Sequence, residues 1–217
     1  MSADMIPLLT KALGETVYMV VVSMIIATII GVPLGVLLHT TSKGQILESL
    51  AVNRIVGAIV NAVRSIPFII LMVMIAPLTR IITGSTITWQ SAVVPLTVSA
   101  IPFFARLVET SVLSVSGGKV EAAQMMGASK PGIMWTVLVR ESLPALIQNV
   151  TVLVVTIIAY TAMAGAIGAG GLGQLAINNG YMRSQYDVMY IAVGGILVMV
   201  LIFQTLGDML SRLVDHR

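Results

Sequence analysis

Side chains able to do chemistry are scarce in this sequence and gather in one stretch. There is no cysteine, which removes thiolate nucleophiles, disulfides and cysteine metal sites. The two histidines, His39 and His216, lie far apart near segment ends and share no metal-ligand spacing. Ser23, Ser65 and Ser99 sit in apolar surroundings without a neighbouring base, so an intramembrane hydrolase is disfavoured. Gly168-x-Gly170-x-x-Gly173 has the spacing of a dinucleotide loop, but no strand pattern precedes it. It reads better as tight packing at a subunit interface or as a flexible helix end. No G-x-x-x-x-G-K-[ST] occurs, so the chain lacks the usual loop for cradling ATP phosphates. What remains is the interval from about 110 to 143. It carries Lys119, Glu121, Lys130, Arg140 and Glu141 in a chain that is only 10% charged. That residue set suits recognition of a partner, not bond-breaking.

Within the interval, residues 114–118 (SVSGG) are turn chemistry, and residues 119–127 predict a short helix ended by Gly127. Pro131 and Gly132 predict a second break. Ala122 and Ala123 would let another backbone approach closely, and Met125 and Met126 would adapt to an irregular wall. Two readings stand on spacing alone. One is a helix inserted into a groove on a partner. The other is an amphipathic connector lying on a membrane surface.

The elements around this interval are built for lipid. The chain is 57% hydrophobic, with mean hydropathy +1.00, against about 45–50% apolar in soluble domains. Its 217 residues predict one domain, 1–217, an all-α integral membrane protein with five transmembrane helices. The first apolar run is too long for a cleaved signal, and Glu15 directly precedes it. Residues 1–15 predict a brief interfacial helix. Residues 16–38 hold no charge; as a helix they reach about 34 Å, enough for a hydrocarbon core of about 30 Å. Gly31 and Gly35 form a G-x-x-x-G there, which predicts close helix packing. Residues 39–54 read as a polar elbow. The second span, 55–78, contains Arg64, and Pro67 predicts a kink or the true start of its deep part at 65–79. The third span, 90–108, ends with Arg106 and Glu109 spaced to pair at i, i+3. The fourth, 144–164, runs into a glycine-rich stretch, and the fifth covers 188–206.

A count of basic residues orients the bundle. Lys43, Arg54, Arg64, Arg106, Lys119, Lys130, Arg140, Arg212 and Arg217 fall on one side of this layout; Lys11, Arg80 and Arg183 fall on the other. The positive-inside rule puts the first group in the cytoplasm, with the N-terminus outside and the C-terminus inside. The same rule explains the net charge of +3 without nucleic acid. Tyr160 and Met163, near the outer end of the fourth span, become gate candidates if two copies meet there. Thr156 and Ser99 are weaker candidates, because hydroxyls in spans usually bond their own helix.

Glu121-Ala122-Ala123-x-x-x-Gly127, with Val137-x-Val139 and Pro144 downstream, resembles the EAA loop of binding-protein-dependent ABC importer permeases. Ser116 and Arg140 depart from that pattern at positions where proline is common. The segments RSIPFIIL at 64–71, VVPLTV at 93–98, PFFAR at 102–106 and AYTAMAGAIGAGGLGQ at 159–174 are similar to the methionine-import members of that family. The resemblance implies the type I ABC importer permease fold. It also implies a cytoplasmic coupling helix in which Glu121, Ala122, Ala123, Met126, Gly127 and Ala128 engage the ATPase. The partners implied are a second copy of the chain, two ABC ATPase subunits, an extracytoplasmic methionine-binding protein and membrane lipid, in a bacterial inner membrane. The chain itself would be non-catalytic and carry no cofactor, with ATP and Mg on the ATPase. The glycine-rich segment is shared with permeases for betaine-like solutes, so a permease for a betaine or another amino acid stands as an alternative. An ion-coupled secondary transporter is disfavoured, because Glu15, Glu109, Asp187 and Asp208 fall at span ends and no internal repeat is visible. A non-transport membrane scaffold is the remaining class.

Overall fold

The computed structural model describes residues 5–214. Asp4, Asp215, His216 and Arg217 lie outside the described residues. Every regular element among the described residues is a helix. Helix α1 (Met5–Thr40) is continuous for 36 residues. The separate interfacial helix expected at 1–15 is, from residue 5, the first turns of α1. Pro7 falls in the opening turn, where its missing N–H is not needed, and nothing between it and residue 16 stops a helix.

The second span is broken. Helix α2 (Leu50–Ser65) and α3 (Phe68–Met74) meet at 104°. Ile66 is extended before Pro67, as the proline ring demands of its predecessor. Helix α4 (Ala76–Thr83) follows and stops at Gly84, which adopts φ +76°. Helix α5 (Trp89–Leu113) starts on a reciprocal cap: Ser91 N donates to Thr88 Oγ1 and Thr88 N to Ser91 Oγ. Helices α6 (Gly117–Met125) and α7 (Lys130–Gly132) follow, the latter passing into a π-helical stretch, Ile133–Val139. Pro131 therefore opens a helix; it does not break one. It occupies the first turn, and the Ser129 side chain accepts from Gly132 N. Helix α8 (Leu143–Ala166) has Pro144 in its first turn. Helix α9 (Gly171–Gln174) passes into a second π stretch, Leu175–Tyr181, and α10 (Tyr186–Val214) closes the chain. Helices α1, α5, α8 and α10 are each long and apolar enough to cross a membrane, and the bent α2–α3 pair makes a fifth span if taken as one.

The core lies where α1, α5 and α8 meet, around Met19, Leu96, Phe104, Leu153 and Ile157. The G-x-x-x-G expectation holds: Gly31 lies against Phe104, and Gly35 against Ala105 and Val108 of α5. Asn149 Nδ2 donates to Leu107 O at 3.1 Å and to Ser111 Oγ at 2.6 Å, which ties α8 to α5. The Arg106–Glu109 pair forms at 2.6 Å. Arg106 also donates to Asn61 Oδ1 at 3.0 Å, so the pair fastens α2 to α5 as well. The outer face of α10 exposes Leu197, Leu201 and Ile202, with Tyr181, Tyr186 and Tyr190 ringing one end. That is the aspect of a lipid-facing helix with an aromatic belt.

The glycine-rich stretch is tight packing inside the chain. A Cβ on Gly165 would fall 2.7 Å from Gly173 C, and one on Gly173 would fall 2.5 Å from Ala162 Cα. Gly171 N donates to Glu15 Oε2 at 2.8 Å and Leu172 N to Thr16 Oγ1 at 2.9 Å. These two α1 side chains satisfy two of the free N–H groups at the start of α9.

Candidate docking and coupling site

Helix α6 is a nine-residue knob at one end of the bundle, and its end is set by Gly127. Gly127 adopts φ +79°. Its N–H donates to Gln124 O at 2.9 Å, and Ala128 N donates to Ala123 O at 3.0 Å. This is the paired 5→2 and 6→1 bonding of a Schellman stop, which needs the left-handed residue glycine supplies. A Cβ at Gly127 would meet nothing within 4 Å, so the requirement is one of backbone conformation, not space.

The knob presents distinct faces. Met125 is 91% exposed and Met126 81% exposed, with Ala122, Gly127 and Ala128 exposed beside them. Two adjacent flexible thioethers so exposed are suited to an irregular partner surface. Helix α6 packs on the Ile133–Val139 stretch, and Ala123 is only 5% exposed. Its small side chain lets α6 approach its own chain, whereas the sequence had suggested approach by a partner. Glu121 is exposed at the mouth of a cavity of about 420 Å³ beneath α6, lined also by His39, Ile46, Leu113, Val120 and Leu138. Lys119 Nζ pairs with Glu141 Oε2, just before α8.

The two gate candidates sit one turn apart on α8 but face differently. Tyr160 is half-buried and stacked flat on Phe68 of α3, with ring centroids 4.6 Å apart. Met163 is 42% exposed, on a side of α8 that also exposes Val152 and Ala159. Thr156 bonds its own helix, Oγ1 to Val152 O at 2.8 Å. Sequence reasoning missed Phe68; the signal was Pro67, which restarts the helix and aims the next residue inward.

A bundle of long apolar helices of this kind defines an integral membrane protein. Residues 31–217 match the family of binding-protein-dependent transport system inner membrane components, and the chain belongs to that family. A probable D-methionine transport system permease protein, MetI, of Vibrio cholerae is 48% identical over 210 residues, covering 97% of this chain and 93% of that one. The methionine import system permease protein MetP of Bacillus subtilis is 43% identical over 181 residues, covering 83% and 82%. Among solved structures, a chain of the inward-facing MetNI methionine ABC transporter superposes over 100% of both chains with TM-score 0.97 and 44% identity. A chain of an amino acid ABC transporter shares the fold at TM-score 0.76 and 18% identity, covering 95% and 94%.

Proposed function

We propose that this chain is the transmembrane subunit of an ATP-driven methionine importer, and that α6 is its coupling helix. The observation that carries the reading is the full-length likeness to a methionine ABC transporter chain, at 44% identity over 100% of both chains. The bare methionines of α6 support the coupling role. In this reading two copies of the chain enclose the pathway, and two ATPase subunits that hold ATP and Mg seat the coupling helices. An extracytoplasmic binding protein delivers methionine. The side bearing α6 faces the cytoplasm, the N-terminus lies outside and the C-terminus inside, as the distribution of basic residues argues. ATP closes the ATPase pair and draws the two α6 knobs together. The work enters because the nucleotide state binds one arrangement of the bundle better than the other. Met163, exposed on α8, contributes to closure between the copies, and Tyr160, stacked on Phe68, fastens α8 to α3 one turn away.

Reconstitution with the partner ATPase and binding protein tests the reading. ATP-dependent uptake of labelled methionine is expected, with little uptake of betaine or unrelated amino acids. Uptake of betaine in preference to methionine would overturn the substrate.

Gly127 supplies a separate check. Gly127→Val forces a β-branched residue to positive φ, at a cost of about 1–2 kcal/mol, and should lower coupled uptake about tenfold by fraying the end of α6. Gly127→Asn, which tolerates that conformation, should stay near wild type. Equal uptake by the two variants would remove the helix stop from the coupling mechanism.

A further inference from the structure

The docking helix stands over a cavity of about 420 Å³ that Gly117, Val120, Glu121 and Gln124 help to line. Val120 packs against the core beside that cavity, and α6 rests on the Ile133–Val139 stretch. Ala123 is the buried residue of α6, 5% exposed. Among the described residues, one side-chain bond joins α6 to any other element, the pair of Lys119 with Glu141. Glu141 stands two residues before Leu143, where α8 begins. Ser142 between them is held by its Oγ, which donates to Leu138 O at 2.7 Å.

We propose that the Lys119–Glu141 pair is the strut through which the docking helix moves α8. The inference rests on the reading of α6 as the coupling helix and names how its motion is passed on. At about 1.5 Å per residue, Lys119 lies about 6 Å along the helix on one side of Ala123, and Met126 about 4.5 Å on the other. Force on the methionines rocks α6 about Ala123, into or out of the cavity. Without the strut that rocking is confined to α6 and is not passed to α8. With it, the Lys119 end pulls on Glu141 and turns the start of α8, the helix that carries Tyr160 and Met163. Both side chains are partly solvated, so the pair adds little to folding, and its loss leaves the chain intact. Lys119 and Glu141 are therefore positioning residues that act through α8.

The test uses the full complex and reads three quantities: ATPase binding, thermal stability and methionine taken up per ATP hydrolysed. Lys119→Glu and Glu141→Lys are each expected to bind the ATPase and unfold like wild type, yet to import about threefold less methionine per ATP. The double exchange, Lys119→Glu with Glu141→Lys, should return the ratio close to wild type, and Lys119→Arg should keep it. A double exchange as poor as the single changes overturns the strut. So do single changes with the wild-type ratio, and so does outright loss of ATPase binding, which would place the pair in the docking surface itself. Absence of ATP-driven methionine uptake by the wild-type complex is a different failure: it removes the transport reading, and the strut with it.

Discussion

Converting Met125 and Met126 together to aspartate is expected to cut ATP-driven uptake by about thirtyfold while insertion and thermal stability stay unchanged. The two side chains are 91% and 81% exposed, so the isolated chain loses no packing when they change. What changes is what a partner meets. Two flexible thioethers that can fill an irregular groove are replaced by two carboxylates that must be desolvated to enter it. Central anchors of an interface each contribute about 1 kcal/mol or more on truncation; two such losses correspond to about thirtyfold. Met125→Leu with Met126→Leu should retain most activity, because the apolar volume is kept. The measurement is uptake in vesicles beside a pull-down of the ATPase. Wild-type uptake by the aspartate pair would mean that the knob docks through another face, or on nothing.

The knob was legible in the sequence because its ends are written in residue types with a physical necessity behind them. Ser116, Gly117 and Gly118 open it, and Gly127 closes it by taking a positive φ. The orientation of its faces was not legible. Nine residues without an apolar stripe give no period from which to tell Ala123, which is buried, from Ala122, which is exposed. Pro67 marked the break in the second span, but its 104° size depends on what α3 packs against, namely Tyr160 through Phe68. Arg106 and Glu109 announced their own pairing by spacing, yet not their hold on Asn61, 45 residues away. Glu15 and Gly171 are 156 residues apart, so the capping of the glycine loop by α1 left no local trace. Pro131 misled because proline punctuates a chain in two ways: it ends a helix already running, and it begins one well. The choice depends on Ser129 capping the turn ahead of it.

A large loss of stability is expected at Gly35, on the seam between α1 and α5. A Cβ there would press on the Ala105 carbonyl oxygen and lie 2.6 Å from Val108 Cβ and 2.8 Å from Val108 Cγ1. None of these atoms can step aside. One is backbone in the middle of α5, and the others belong to a β-branched side chain held to one rotamer in a helix. Ala105 and Val108 are fully buried, so α1 and α5 must separate along their shared seam. In lipid that seam has no hydrophobic drive to fall back on, since the surrounding tails are as apolar as the side chains, and close packing does the holding. Gly35→Ala should therefore cost about 3 kcal/mol, near the top of the usual range for overpacking, and lower the melting temperature in detergent by about 6–12 °C. Gly31→Ala should cost less, because the atom it meets first is Phe104 Cδ1 at 2.8 Å, on a ring that can tilt. Gly194→Ala meets nothing within 4 Å in the interior of α10, and should be neutral or raise stability by up to about 1 kcal/mol through helix propensity. The order Gly35, Gly31, Gly194 is the decisive readout. If all three variants unfolded at one temperature, the α1–α5 seam would not be held by close backbone approach, and the frame that positions α6 at the end of α5 would need another explanation.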